Sequence, residues 1–97
     1  MRKLSSILML GEDGKLWFKC PGCRSRHAIP VNKDKRPHWE WNGDITKPTF
    51  TPSINVTWED GDEKYQCHSY VRDGTIQYLG DCTHDLAGKT VPIPPYE

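Results

Sequence analysis

The sequence predicts a small all-β fold: an antiparallel meander of hairpins with a zinc-ribbon-like metal site and at most one short helical turn. Turn signals of the Asp-Gly type recur at Asp13-Gly14, Asp60-Gly61 and Asp73-Gly74, each between short stretches rich in β-branched, aromatic or aliphatic residues. Cys20-Pro21-Gly22-Cys23 places two thiols around a tight bend, which is typical of a zinc knuckle. Together these features indicate hairpins that converge on a metal.

Size and composition explain why such a fold would need a metal. The chain has 97 residues, of which 35% are hydrophobic, and its mean hydropathy is -0.76. A short chain buries a smaller fraction of its surface than a long one, so its apolar core stabilises it less. We therefore expect residues 1–97 to form a single zinc-stabilised β-domain.

The first half of the chain is predicted to contain one hairpin, a loop and a short strand. Residues 4–10 and 15–20 are expected to pair, and the second of these strands leads into the cysteine knuckle. The segment 32–38, with its prolines and lysines, is predicted to be a loop. Trp39-Glu40-Trp41 alternates as a strand does, and Asn42-Gly43-Asp44 follows as a turn.

The second half is predicted to complete the meander. Two prolines four positions apart exclude a helix interior from residues 47–53, so this segment should be extended or lie at a sheet edge. Residues 54–58, 65–71 and 75–79 have the composition of antiparallel strands. Residues 83–87 are compatible with the one helical turn.

The predicted metal site draws on all four cysteines and one histidine. The Asp73-Gly74 turn would bring Cys67 to the open end of its hairpin, just before Cys82, so that both thiols can meet the knuckle. Because consecutive strand residues point to opposite faces, Cys67 and His68 should not reach the same metal. His84 is the alternative to Cys67. The predicted ligands of Zn²⁺ are therefore drawn from Cys20, Cys23, Cys67, Cys82 and His84.

Two disulfides are the alternative use of four cysteines, but they require an oxidising compartment. The N-terminal apolar stretch of residues 4–10 contains two serines and continues into Gly11 without a cleavage site for an export signal. No segment approaches the length of a membrane span. We therefore expect a protein with no membrane association and with reduced thiols in the cytoplasm.

Charge excludes one class of function. Thirteen basic and thirteen acidic residues cancel, which argues against a protein that grips duplex DNA mainly through its phosphates. Aromatic side chains can instead stack on bases, and nearby Lys, Ser or Thr can meet a phosphate. The predicted ligand-binding residues are His27, Trp39, Trp41, Asn42, Lys47, Thr49, Ser53 and His68. The alternative is that the aromatics form the core and the polar groups serve turns.

An ordered series of motifs resembles a known family. The segments that carry the resemblance are 20–23 with His27, 39–43, 47–53, 67–74 and 81–88. On these motifs the chain is similar to small domains encoded by tailed phages and prophages, some of which are labelled ammonia monooxygenase. The resemblance implies a phage or prophage origin and a host-cytoplasm setting, and it brings no established activity. In that family, Gly often follows the second cysteine, where this chain has Arg24.

Three functional hypotheses follow from the sequence. The first is a zinc-stabilised binding module for a nucleotide, a single-stranded nucleic acid or a host protein during infection. The second is a small hydrolase that uses Cys82 or Cys67 as nucleophile with His84 or His68 as base, or a zinc-bound water with Asp81 or Asp85 as proton carrier. Four cysteine ligands would leave neither a free thiolate nor an open coordination position. The third is a structural or assembly component of a virion.

Overall fold

A computed structural model describes all 97 residues. It confirms the all-β prediction, because nine strands form two antiparallel sheets and no helix is present. The strands are β1 (Arg2–Lys3), β2 (Met9–Leu10), β3 (Leu16–Cys20), β4 (Ser25–Ile29), β5 (Glu40–Trp41), β6 (Phe50–Asp60), β7 (Glu63–Arg72), β8 (Thr75–Tyr78) and β9 (Thr90–Pro92).

The first sheet has the strand order β1-β2-β3-β4 and carries the cysteine knuckle. Strand β3 alternates between buried and half-buried residues, so that Leu16, Phe18 and Cys20 share the inner face. The predicted first hairpin is shorter than residues 4–10 would allow. The Ser5 hydroxyl accepts hydrogen bonds from the backbone N–H groups of Ile7 and Leu8, and this local turn takes the chain out of the sheet.

The second sheet has the order β5-β6-β7-β8-β9 and contains the longest hairpin, β6–β7. Its register pairs Asn55 with His68 and Val56 with Cys67. The register shifts between Phe50, which pairs with Val71, and Ile54, which pairs with Ser69. Residues 51–53 therefore form a bulge on β6, because these three residues face the single residue Tyr70 and two of them are extra.

Residues 83–87 form turns and not a helix. The hydroxyl of Thr83 accepts a hydrogen bond from the N–H of Gln66, and the N–H of Thr83 donates to the carbonyl of Gln66. These bonds hold Thr83 against β7. The following turn is closed by the Ala87 N–H, which donates to the His84 carbonyl, and it ends at Gly88, whose φ is 77°.

The two sheets share one core. The rings of Phe18 and Phe50, one from each sheet, stack with their centroids 6.3 Å apart. Both side chains are fully buried, and they belong to a cluster of 13 buried residues that includes Cys20, Cys67 and Cys82. The thiols thus lie where the sheets meet. No part of the chain forms a helix of the length and apolarity that crossing a membrane requires.

Candidate functional site

Three thiols and one imidazole converge between the sheets. The ligand atoms of Cys20, Cys23, His27 and Cys67 all lie within 4.8 Å of one another, and the Sγ atoms of Cys20 and Cys67 are 3.9 Å apart. All four cysteines of the chain are free thiols. These four residues, called the thiol cluster below, could hold a metal ion.

The knuckle between β3 and β4 orients the first two thiols. The N–H of Cys23 donates to Cys20 Sγ at 3.4 Å, which folds the turn back over the end of β3. The Tyr78 hydroxyl accepts a hydrogen bond from the N–H of Gly22 at 3.2 Å and lies 3.0 Å from Cys20 Sγ. Burial raises the pKa of Tyr78, and the contact with Cys20 raises it further. The hydroxyl therefore stays neutral and donates a hydrogen bond to the sulfur.

His27 adds a buried ring nitrogen to the donor atoms of the thiol cluster. Pairing with Phe18 in the β3–β4 ladder turns His27 inward, and the two rings meet edge to face with centroids 5.6 Å apart. Nε2 of His27 is buried and has no hydrogen-bond partner. A buried polar atom without a partner is costly, and a metal ion would satisfy it. Three thiols and one imidazole are a donor set that Zn²⁺ prefers.

The ionisation of the cluster is shared unequally among its sulfurs. Hydrogen bonds from Cys23 and then from Cys67 lower the pKa of Cys20, so its thiolate is favoured. The hydrogen bond between Cys23 and Cys20 raises the pKa of Cys23 to about 12. The hydrogen bond between Cys67 and Cys20 likewise raises the pKa of Cys67. A favoured thiolate at Cys20 suits the cluster to metal binding, because the thiolate is the form that ligates.

Cys82 and His84 lie on the other side of Cys67. The ligand atoms of Cys67, Cys82 and His84 also lie within 4.8 Å of one another, with His84 Nε2 3.4 Å from Cys67 Sγ. The Cys82 thiol, however, bonds to the backbone of His68: it accepts from the N–H and donates to the carbonyl, both at 3.2 Å. The structure thus brings the five predicted metal ligands together around Cys67 in two overlapping groups.

Three polar side chains form a hydrogen-bonded line over the opposite face of the β6–β7 hairpin. Nδ1 of His68 lies 3.0 Å from Oδ2 of Asp81, and Nε2 of the same ring lies 3.0 Å from Oγ of Ser53. The carboxylate accepts from Nδ1–H, which leaves Nε2 as an acceptor for the serine hydroxyl. This is the connectivity of a Ser-His-Asp catalytic triad.

The fold explains how these three residues meet. Ser53 ends the bulge on β6, His68 lies on the neighbouring strand β7, and Asp81 immediately precedes Cys82. The indole N–H of Trp39 donates to the Ser53 carbonyl at 3.2 Å, which fixes the end of the bulge. The side chains of His68 and Asp81 are 23% and 49% exposed, so solvent can reach the line.

A second polar layer holds the carboxylate. Gln66 Nε2 donates to Asp81 Oδ2 and to Asn55 Oδ1, each at 3.2 Å. Neither Gln66 nor Asn55 was singled out by the sequence. The available signal was alternation, since Ser53 and Asn55 lie two residues apart and so do Gln66 and His68. Alternation alone does not show that the Ser53–Asn55 pair faces the Gln66–His68 pair, because that depends on the register between β6 and β7.

The remaining predicted ligand-binding residues lie in and around the loop before β6. The side chain of Asn42 accepts from the N–H groups of Asp44 and Thr49 and donates to the Lys47 carbonyl, so it organises that loop. The Thr49 hydroxyl accepts from the Asp73 N–H at 2.9 Å and ties the loop to the β7–β8 turn. Trp41 packs against the edge of the core.

One of the comparisons with known proteins found a matching family. A protein-family model for BubE, described as the bacterial ubiquitination-like system serine protease, matches residues 2–79. The match includes Ser53 and His68 and ends two residues before Asp81. No curated protein and no solved structure matched the chain. Because the family model covers well over half of the sequence, this chain belongs to the BubE family.

Proposed function

We propose that this protein is a serine protease in which Ser53 is the nucleophile, His68 the general base and Asp81 the residue that orients the base. The observation that carries the proposal is the unbroken hydrogen-bonded line from Ser53 Oγ through both nitrogens of His68 to Asp81 Oδ2, with both contacts at 3.0 Å. A nucleophile within hydrogen-bond reach of a base that is itself oriented by a carboxylate is the arrangement that activates serine.

The chemistry follows from the positions of the protons. Ser53 Oγ attacks the carbonyl carbon of the substrate while its proton moves to His68 Nε2. The Asp81 carboxylate keeps Nδ1–H in place and stabilises the imidazolium. His68 then gives the proton to the leaving amine, and an acyl-Ser53 ester remains. Water, deprotonated by His68, attacks the ester and releases the acid and the free serine.

The peptide bond as substrate is inferred from the description of the BubE family, which names a serine protease of a bacterial ubiquitination-like system. The proposal differs from the hydrolase predicted from the sequence, since its nucleophile is a serine and neither Cys67, Cys82 nor a zinc-bound water. Binding of a nucleotide, nucleic acid or host protein, the phage origin and the cytoplasmic location stay predictions.

We further propose that the thiol cluster binds Zn²⁺ and that this ion is structural. His27 Nε2 has no other partner, and with Cys20, Cys23 and Cys67 it would give a closed four-ligand sphere. Cys67 points away from the face that carries Ser53 and His68. The ion would therefore tie the knuckle to β7 and would take no direct part in the chemistry of the triad.

Covalent labelling tests the serine protease proposal. A fluorophosphonate probe reacts when the serine oxygen bonds to phosphorus, fluoride leaves and the proton passes to the histidine. We expect one adduct per chain on Ser53, located by peptide mass spectrometry, and none in Ser53→Ala or His68→Ala. The control is Ser25→Ala, because Ser25 is an exposed serine on β4. Labelling that is absent from the wild type, or that survives in Ser53→Ala, would overturn the proposal.

A further inference from the structure

We propose that Asn55 is a catalytic residue: its Nδ2 group donates a hydrogen bond to the oxyanion that forms when Ser53 attacks a carbonyl, and Gln66 fixes its orientation. The inference rests on the proposed serine chemistry. It adds the one component that a line of nucleophile, base and acid lacks, a donor aimed at the developing negative charge.

The orientation of Asn55 follows from a chain of donors and acceptors that begins at Asp81. A carboxylate only accepts hydrogen bonds, so Gln66 must present its NH₂ group to Asp81 Oδ2. The same nitrogen lies 3.2 Å from the Asn55 side chain, and as a donor it requires the carbonyl oxygen of that amide. Asn55 therefore turns Oδ1 towards Gln66 and leaves Nδ2 free of any bond within the chain.

The location of Asn55 matches this role. It pairs directly with His68 in the β6–β7 ladder, and the Cβ atoms of residues paired in this way are about 4.5–5.5 Å apart on the same face. Ser53 lies two residues before it on the same strand, and His68 Nε2 reaches Ser53 Oγ from the facing strand. An amide at this position borders the space that a carbonyl must occupy when it contacts Ser53 Oγ.

The other side chains of this face fit the role less well. Both N–H groups of the Gln66 amide are engaged, one by Asp81 and the other by Asn55. Thr57 lies two residues further along β6, paired with Gln66 and not with His68. Asn55 is exposed, so its free NH₂ group is solvated until a substrate displaces the water.

The test uses p-nitrophenyl acetate, whose attack by Ser53 creates the same oxyanion, releases p-nitrophenolate and leaves an acetyl ester that water hydrolyses. Removing one oxyanion donor lowers kcat by about 10²–10³-fold in a serine protease, and we expect Asn55→Ala to do so while KM changes by less than about twofold. Asn55→Asp, which places a negative charge against the oxyanion, should lower kcat further. Asn55→Gln, which keeps the amide, should recover part of the loss.

Thr57→Ala is the matched control, because Thr57 is an exposed residue on the same face of β6. Its kcat and the melting temperatures of all variants should match the wild type. An unchanged kcat in Asn55→Ala, an equal loss in Thr57→Ala or a change confined to KM would overturn the role of Asn55 and leave Ser53 labelling intact. A wild type that neither turns over the ester nor labels at Ser53 would overturn the proposed function and this inference together.

The role of Gln66 is tested separately in the same assay. Gln66→Leu should cost less in the Asn55→Ala background than in the wild type, because part of its effect passes through Asn55. An equal cost in both backgrounds would remove Gln66 from the orientation of Asn55.

Discussion

Cys67 and His68 are consecutive residues of β7 that point to opposite faces of the same sheet. Cys67 Sγ lies 3.9 Å from Cys20 Sγ in the thiol cluster, whereas His68 Nε2 lies 3.0 Å from Ser53 Oγ. One peptide unit therefore separates the candidate metal centre from the candidate base. A displacement of β7 that moves one of these side chains moves the other as well.

The first prediction is that metal removal lowers the reactivity of Ser53. A structural zinc site contributes about 10–16 kcal/mol of apparent binding free energy in small zinc peptides, so its loss should loosen the contact between the knuckle and β7. We expect a chelator, or Cys67→Ser, to lower both the melting temperature and the rate of fluorophosphonate labelling. Adding Zn²⁺ back should restore the chelated wild type. Metal-free protein that labels at the full rate would contradict the coupling.

The second prediction distinguishes the two histidines beside the thiols. His27→Ala should lower the zinc content of the purified protein far below one ion per chain, because it removes the inward-facing Nε2. His84→Ala is the matched control, since His84 contacts Cys67 but belongs to the group that contains Cys82. Elemental analysis and the absorption spectrum of the Co²⁺-substituted protein measure the difference. The opposite ranking would assign the fourth ligand to His84.

The third prediction concerns backbone strain in the knuckle. Arg24 has a φ of 54°, in the left-handed region where a side chain costs about 1–2 kcal/mol and glycine costs little. Arg24→Gly should therefore stabilise the protein by about 1 kcal/mol, which corresponds to roughly 4–8 °C in Tm for a domain of this size. Asp73→Gly is the control, because Asp73 has a φ of 49° but aspartate tolerates that region better. A lower Tm for Arg24→Gly would show that the arginine side chain contributes more than the strain costs.

The fourth prediction tests the acid of the triad. Asp81→Asn should lower kcat for p-nitrophenyl acetate by about 10³–10⁴-fold, because an amide in place of the carboxylate can stabilise the wrong tautomer of His68. Asp85→Asn removes an exposed carboxylate from the same loop and should leave kcat unchanged. Equal activity of the two variants would exclude Asp81 from the mechanism.

The fifth prediction is a pH dependence of stability that comes from the loop before β6. The Asp44 carboxylate accepts from the Lys47 and Thr46 N–H groups and from the Thr46 hydroxyl, and these bonds lower its pKa. A lowered pKa in the folded state means that the stabilisation is present above the unfolded pKa of about 3.9 and is lost as the pH falls through the folded value.

Asp44→Ala should therefore have a lower Tm than the wild type at pH 6, and the gap should narrow as the pH falls below about 4. Melting curves over this range measure it, with Asp34→Ala as the control in another exposed loop. A gap that stays constant with pH would show that the charge of Asp44 does not contribute.

The sequence allowed the local features of this fold to be predicted, whereas the features that depend on register could not be. Asp73-Gly74 marked a hairpin turn, and Cys20 and Cys23 marked the knuckle, because each signal lies within a few residues. The contact between Ser53 and His68 joins residues 15 positions apart through a bulged pairing that no local signal specifies. Alternation could separate Cys67 from His68, but it could not identify which residue His68 would meet.

The bulge at residues 51–53 places Ser53 between two buried and paired residues of β6. Phe50 and Ile54 on either side of it are both buried in the core and both paired with β7, so the β6–β7 register is held on both sides of the bulge. Because Ser53 lies at the end of this bulge, a substitution at Pro52 would move the Ser53 hydroxyl relative to His68 while the pairs on either side stay in place. The geometry of the candidate site can therefore vary more readily than the fold that carries it.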